Sequence, residues 1–240
     1  MISADGNYSG TDVPDVSGTN EDDDTAEVIV TPLGSMVTSE SSLGTASFTV
    51  VLGSQPASSV EVQIESQDTT EGTVDLSSVV FNAINWDDPI TVQVSPVDDD
   101  IDDGNVTYAI SLGTPITTDP KYGALGASDV DDVDVLNQDD DTAGFLISEA
   151  GSLDTDEGGL TDSFSLKLAS EPTNSVTVNI TSTDTGEVLV VTEQLVFGAS
   201  NWDENQTITV AGVDDNIVDG TKTVTVSLGT GSSLDGNYNN

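Results

Sequence analysis

The chain has no cysteine and no histidine, and only three basic residues, Lys121, Lys167 and Lys222, against 44 acidic ones in 240 residues. Without cysteine there is no disulfide staple and no thiolate nucleophile. Without histidine the usual base near neutral pH is missing, and the common zinc, copper and haem ligands go with the pair. A formal charge of -41 repels phosphate backbones and anionic lipid surfaces, whose binding rests on cations, so neither nucleic-acid binding nor membrane insertion is expected. The segment from Met1 to Asn20 is polar and acidic, not a basic start followed by an apolar stretch, so it does not read as a secretory signal. Met1 is expected to open an excised fragment, because the residues after it begin in the middle of a pattern repeated later.

What remains as a ligand set is oxygen: carboxylates, amides and backbone carbonyls, hard donors that suit calcium or magnesium. The chain is also a repeat. Asn20-Glu-Asp-Asp-Asp-Thr-Ala26 returns as Asn137-Gln-Asp-Asp-Asp-Thr-Ala143, and the register continues through Phe48 and Phe164, Asn85-Trp86-Asp87 and Asn201-Trp202-Asp203, and Val97-Asp98-Asp99 and Val213-Asp214-Asp215. Asp5 to Tyr8, Asp119 to Tyr122 and Asp235 to Tyr238 match as well. The expected organisation is residues 1–24 as the tail of a preceding repeat, 25–141 as repeat 1, and 142–240 as repeat 2 lacking its last strand.

Apolar residues alternate through Phe48, Val50 and Leu52, through Val60, Val62 and Ile64, and through Tyr108, Ile110 and Leu112. Period two means half-buried strands, and no segment keeps a helical period over three turns. The expected fold class is all-β, with tandem seven-stranded antiparallel β-sandwiches of immunoglobulin-like type. Following each hairpin reversal, a first strand over 25–40, broken near Pro32-Leu33-Gly34, runs down to Glu40. The same end then collects Asp68, Glu71, Asp98, Asp99, Asp100, Asp102, Asp103, Asp139, Asp140 and Asp141. Carboxylates about 5 Å apart repel by roughly 3 kcal/mol per pair at an effective dielectric near 20. Against a total stability of about 5 to 15 kcal/mol, so many converging acids call for a divalent cation, and the irregular, crowded set favours calcium over magnesium. Glu40, Asp99 and Asp140 are expected to share a site.

These residues resemble the Calx-β domain. The likeness lies in Glu40 after a first strand, in Val97-Asp98-Asp99-Asp100-Ile101-Asp102-Asp103 after a descending one, and in a last strand that closes on Asp139 to Asp141. Through Asp141 to Gly144, Asn85-Trp86 and Asn237-Tyr238 the chain is similar to Calx-β-like tandem repeats of large bacterial surface and adhesin-like proteins. The resemblance implies calcium as the bound ion, an extracellular or cell-surface location and adjacent repeats as partners. It implies Glu40, Asp68, Asp98, Asp99, Asp103, Asp139 to Asp141 and the Ile101 carbonyl as ligands in repeat 1. In repeat 2 it implies Glu157, Asp184, Asp214, Asp215 and Asp219. There Asn216 replaces Asp100 and Val218 replaces Asp102, which makes the second site weaker or incomplete. Glu71 and Glu187 also match across repeats and are expected behind the ligands or in solvent.

Paired carboxylates can run glycoside hydrolysis, but acids repeated at module ends lack the enclosed cleft and separated pKa values that catalysis needs, so no enzyme is expected. Trp86 and Trp202 read as core or loop anchors before they read as sugar platforms. The main reading is a calcium-stiffened spacer; its rivals are an adhesion module that grips sugar, ice or a host protein, and an accessory module of a secreted enzyme. Because repeat 2 lacks a closing strand while residues 8–24 carry a spare copy, head-to-tail self-association is also expected.

Overall fold

A computed structural model describes residues 4–41, 44–148, 151–218 and 220–239. Two hydrophobic cores share no residue: one is built from Val28 through Val135, the other from Phe164 through Tyr238. We refer to the surrounding strands as modules 1 and 2. Among the described residues there is no α-helix, and no helix is long and apolar enough to cross a membrane.

Module 1 contains β1 (Val28–Pro32), β2 (Val37–Ser39), β3 (Ala46–Leu52), β4 (Val60–Ser66), β5 (Gly72–Val74), β6 (Ser78–Phe81), β7 (Ile90–Pro96), β8 (Val106–Leu112), β9 (Ile116–Thr117) and β10 (Val133–Gln138). One sheet runs β1-β3-β7-β5; the other runs β2-β10-β8-β4-β6, with β9 added against β4. The alternation does what its period dictates. Phe48 and Val50 of β3, Val60 and Val62 of β4, and Val92 and Val94 of β7 are all fully buried between the sheets.

The first strand breaks where expected, at Gly34, whose φ of +100° is open to glycine at little cost. The break lets β1 join one sheet and β2 the other. It also produces, among the described residues, the one departure from antiparallel pairing: β2 lies parallel to β10, with Ser39 beside Gln138. The short strands β5 and β9 lie in stretches read as loops, because two or three residues carry no period.

Module 2 contains β11 (Phe145–Ser148), β12 (Thr161–Leu168), β13 (Val176–Ser182), β14 (Val188–Val190), β15 (Gln194–Phe197), β16 (Gln206–Gly212) and β17 (Val226–Leu228). Its sheets run β11-β12-β16-β14 and β15-β13-β17. Among the described residues nothing takes the places of β2 and β10.

Two repeated motifs are local staples. Asp119 accepts the Ala57 N–H at 2.6 Å and the Lys121 N–H at 2.7 Å, and the Tyr122 hydroxyl donates to the Ser54 carbonyl at 2.7 Å. Asp235 and Tyr238 do the same with Thr173, Asn237 and Ser170. The third copy keeps its turn, with the Asn7 N–H on Asp5, but Tyr8 is exposed. In the Asn-Trp-Asp repeats, Asn85 accepts the Asn82 N–H and donates to the Val80 carbonyl, and Asn201 accepts and donates likewise with Gly198 and Val196. Trp86 and Trp202 pack against the two cores.

The modules differ in one compensated pair. A Cβ on Gly72 would sit 1.9 Å from the Tyr108 hydroxyl oxygen. Module 2 has Val188 and Val224 at the matching positions, trading a glycine under a large ring for two medium side chains. Gly72→Val is therefore expected to destabilise the protein by about 1 to 3 kcal/mol through overpacking. The double variant Gly72→Val with Tyr108→Val is expected to recover most of that loss, measured as a double-mutant cycle in urea unfolding.

Candidate metal centre

The parallel pairing of β2 with β10 brings the acids together. Strands that run the same way end at the same place, and with Ser39 beside Gln138 the next residues, Glu40 and Asp139, emerge side by side. The Glu40 N–H donates to the Gln138 carbonyl at 3.0 Å, extending the ladder one step. Asp139 then folds back: it accepts the Gly104 N–H at 2.7 Å and the Asp141 N–H at 2.7 Å, which turns Asp141 inward. As a result carboxylate oxygens of Glu40, Asp139 and Asp141 all lie within 4.8 Å of one another.

The loop between β7 and β8 closes over this group. Asp99 accepts the Ile101 N–H at 2.8 Å, and the Ile101 carbonyl accepts the Asp103 N–H at 2.9 Å. Asp99 and Asp103 are near enough for their charges to act on Glu40. Behind the cluster lies Asn137, fully buried, whose Nδ2 donates to Glu40 Oε1 at 2.7 Å and to Glu71 Oε2 at 3.2 Å. Its Oδ1 accepts the Thr38 hydroxyl at 2.8 Å. Glu71, expected behind the ligands or in solvent, is 5 % exposed. One oxygen of this network, Glu40 Oε2, is buried with no hydrogen-bond partner.

The remaining residues are placed as follows. Asp68 is half-buried and accepts the N–H and hydroxyl of Thr70 at 3.1 and 2.6 Å. Asp98, Asp100 and Asp140 have exposed side chains, and Asp140 stands outside the tight trio. In module 2, Glu157, Asp184 and Asp214 are exposed and Asp215 is half-buried. Asp215 accepts the Ile217 N–H at 2.7 Å, the same turn that Asp99 makes. Asp219 lies outside the described residues. Lys222 shares a cavity with Asp156, Glu157 and Glu187, where module 1 has Val106.

Asn137 and Thr38 carry no charge, so a pattern of acidic residues does not mark them. The usable signal was the recurrence of Asn20 and Asn137 just before each Asp triplet.

Crowding is expressed in the titrations. Burial, and then the charges of Asp99, Asp139, Glu71 and Asp103, push Glu40 up to about 7. Burial, followed by Asp100, Asp140, Asp139 and Asp99, pushes Asp141 up to about 6. Glu71 and Asp103 are raised as well, each by desolvation first and by neighbouring acids after it, while the Asn137 bond pulls Glu71 back. Asp68 moves the other way, held down by its bonds to Thr70. Each neighbouring pair within 5 Å costs about 3 kcal/mol at an effective dielectric near 20. The donor set fits a divalent cation: three converging carboxylates, all-oxygen chemistry, and one buried carboxylate oxygen that nothing in the protein satisfies.

A raised carboxyl pKa means the folded protein binds more protons than the unfolded chain, so stability falls as pH rises through the window. For Glu40 that window is 4.5 to about 7, and for Asp141 3.8 to about 6. In chelator the melting temperature is therefore expected to be higher near pH 5 than at pH 7.5. Glu40→Gln keeps an acceptor for Asn137 and removes the charge, so it is expected to raise the melting temperature at pH 7.5 and flatten the profile. Thermal scans from pH 4.5 to 8 check both.

No family model and no curated protein sequence matches the chain. Among solved structures it is similar to the calcium binding domain CBD12 of CALX1.1, at 18% identity over 85% of this chain and 80% of that one, with a TM-score of 0.37. It is also similar to CBD12 from CALX1.2, at 18% identity over 84% and 80% of the two chains, with a TM-score of 0.34. A third likeness is to domains 4-9 of the surface layer protein SbsC, at 14% identity over 88% of this chain and 31% of that one, with a TM-score of 0.28.

Proposed function

We propose that this chain is a pair of calcium-stabilised β-sandwich modules, serving as spacer and stiffener in a longer secreted or surface-anchored repeat protein. The observation that carries the reading is the buried, unpartnered Oε2 of Glu40, a residue whose carboxylate lies within 4.8 Å of those of Asp139 and Asp141. A bound cation supplies the positive charge that this end of the module lacks. Calcium suits it because it takes about 6 to 8 oxygens in an irregular cage, which Glu40, Asp139 and Asp141 begin and the nearby Asp99 and Asp103 can extend, whereas magnesium holds to a tight octahedron and keeps its waters.

The stiffening role is supported by contacts at the junction. The loop that carries Asp99 and Asp103 also reaches module 2: the Glu171 N–H donates to the Asp100 carbonyl at 2.6 Å and the Ala143 N–H to Asp102 at 2.8 Å. Asn237 Nδ2 donates to the Asp102 carbonyl. A loop drawn tight around an ion holds these acceptors still; one pushed apart by its own charges does not.

Adding calcium to chelator-treated protein is expected to raise the melting temperature, by the equivalent of about 2.7 kcal/mol per site at 100 times the dissociation constant. Asp139→Asn with Asp141→Asn is expected to remove most of the response, and Asp215→Asn little of it. An equal response to magnesium, or none to calcium, contradicts the reading. Small-angle scattering tests the stiffening: calcium is expected to sharpen the distance distribution relative to chelator, and an unchanged profile leaves only local stabilisation.

A further inference from the structure

We propose that Asn137, which turns its amide nitrogen and not an oxygen toward the acids, is the positioning residue of the metal centre: it commits Glu40 Oε1 to a hydrogen bond and leaves Oε2 to take the ion. This rests on the calcium reading and goes beyond it, because it assigns a share of the affinity to an uncharged side chain that does not touch the ion.

Asn137 follows Val133 and Val135 on the inward side of β10, and all three are buried. Alternation alone calls for a third apolar residue there. A buried amide costs free energy unless its donors and its acceptor are used. In this place all are used: Nδ2 donates to Glu40 Oε1 at 2.7 Å and to Glu71 Oε2 at 3.2 Å, and Oδ1 accepts the Thr38 hydroxyl at 2.8 Å. Charge fixes which way the amide faces. Turned over, it would set a carbonyl oxygen against two carboxylates.

Glu40 is thereby held by one oxygen. Oε1 has Asn137, whereas Oε2 is buried and has no partner. Fixing one oxygen fixes the direction of the other, so the side chain gives up its rotamer freedom on folding and not on binding. A lysine or arginine in the same place would hold Glu40 as firmly, but its charge would compete with the ion; an amide holds without competing.

Asn137 is anchored in its turn. Its backbone lies between Thr38 of β2 and Val106 of β8, and the Thr38 hydroxyl grips its carbonyl. The set also recurs: Thr38, Glu40 and Glu71 return as Thr155, Glu157 and Glu187, and an Asn stands two residues before Asp22 to Asp24 as it does before Asp139 to Asp141.

Calorimetric titration of calcium into the chelator-treated full chain, at a temperature where the variants are folded, tests this. Asn137→Val is expected to weaken binding about 10- to 100-fold, the usual cost of losing a partner that orients a metal ligand. Thr38→Val, one hydrogen bond further from the ion, is expected to weaken it in the same direction by less. In a Glu40→Gln background, Asn137→Val is expected to add at most about a twofold loss, because the carboxylate it positions is gone. A merely structural role costs the same factor in both backgrounds. Unchanged affinity in Asn137→Val, or an equal loss with and without Glu40, overturns the proposal and leaves the calcium reading standing. Where Asn137→Val does not fold, unchanged affinity in Thr38→Val overturns it. A wild-type chain that takes up no calcium overturns the calcium reading, and the role of Asn137 with it.

Discussion

A single pairing organises one end of module 1: β2 beside β10, parallel, with Ser39 level with Gln138. Antiparallel neighbours would have sent Glu40 and Asp139 to opposite ends of the sandwich. Parallel neighbours deliver both to the same point, and the turn at Asp139 adds Asp141. Everything distinctive about this end follows from that. Partial burial and then the neighbouring charges hold the protons of Glu40 and Asp141 above the usual carboxylate range. The neutral donor placed among them is Asn137, an amide whose two halves serve Thr38 on one side and Glu40 and Glu71 on the other.

The two modules show which features the fold requires and which it can exchange. The Asp-x-x-Tyr staple and the Asn-Trp-Asp loop are the same in both, because each fixes a backbone turn against the core and has no neighbour to depend on. The pair Gly72 and Tyr108 became Val188 and Val224, a swap that keeps the filled volume. Where module 1 has Val106, module 2 has Lys222, a cation in a cavity shared with Asp156, Glu157 and Glu187. Module 1 has no such cation, and its cluster is the tighter one.

Much of this was legible in the sequence. Period-two alternation located the long strands, the 116- to 117-residue register set two similar stretches of sequence against each other, and Pro32-Leu33-Gly34 marked the break in the first strand. Hairpin counting also sent the right loops to one end. What it could not supply was the order of closeness within that end: it sends eleven acids there, but the trio depends on a one-residue register and on the inward turn at Asp139. Short strands such as β5 and β9 were invisible because pairing, not pattern, makes them strands. Asn137 was hidden for a different reason, since its role depends on being neutral.

We propose that at neutral pH a divalent cation at Glu40, Asp139 and Asp141 takes the place of the protons that Glu40 and Asp141 hold. Calorimetric titration of calcium at pH 6.5, in buffers of different ionisation enthalpy, measures that exchange. With Glu40 near 7 and Asp141 near 6, binding is expected to release protons, and Glu40→Gln is expected to weaken binding and reduce the release. Binding without proton release, or with the same affinity after Glu40→Gln, contradicts the account.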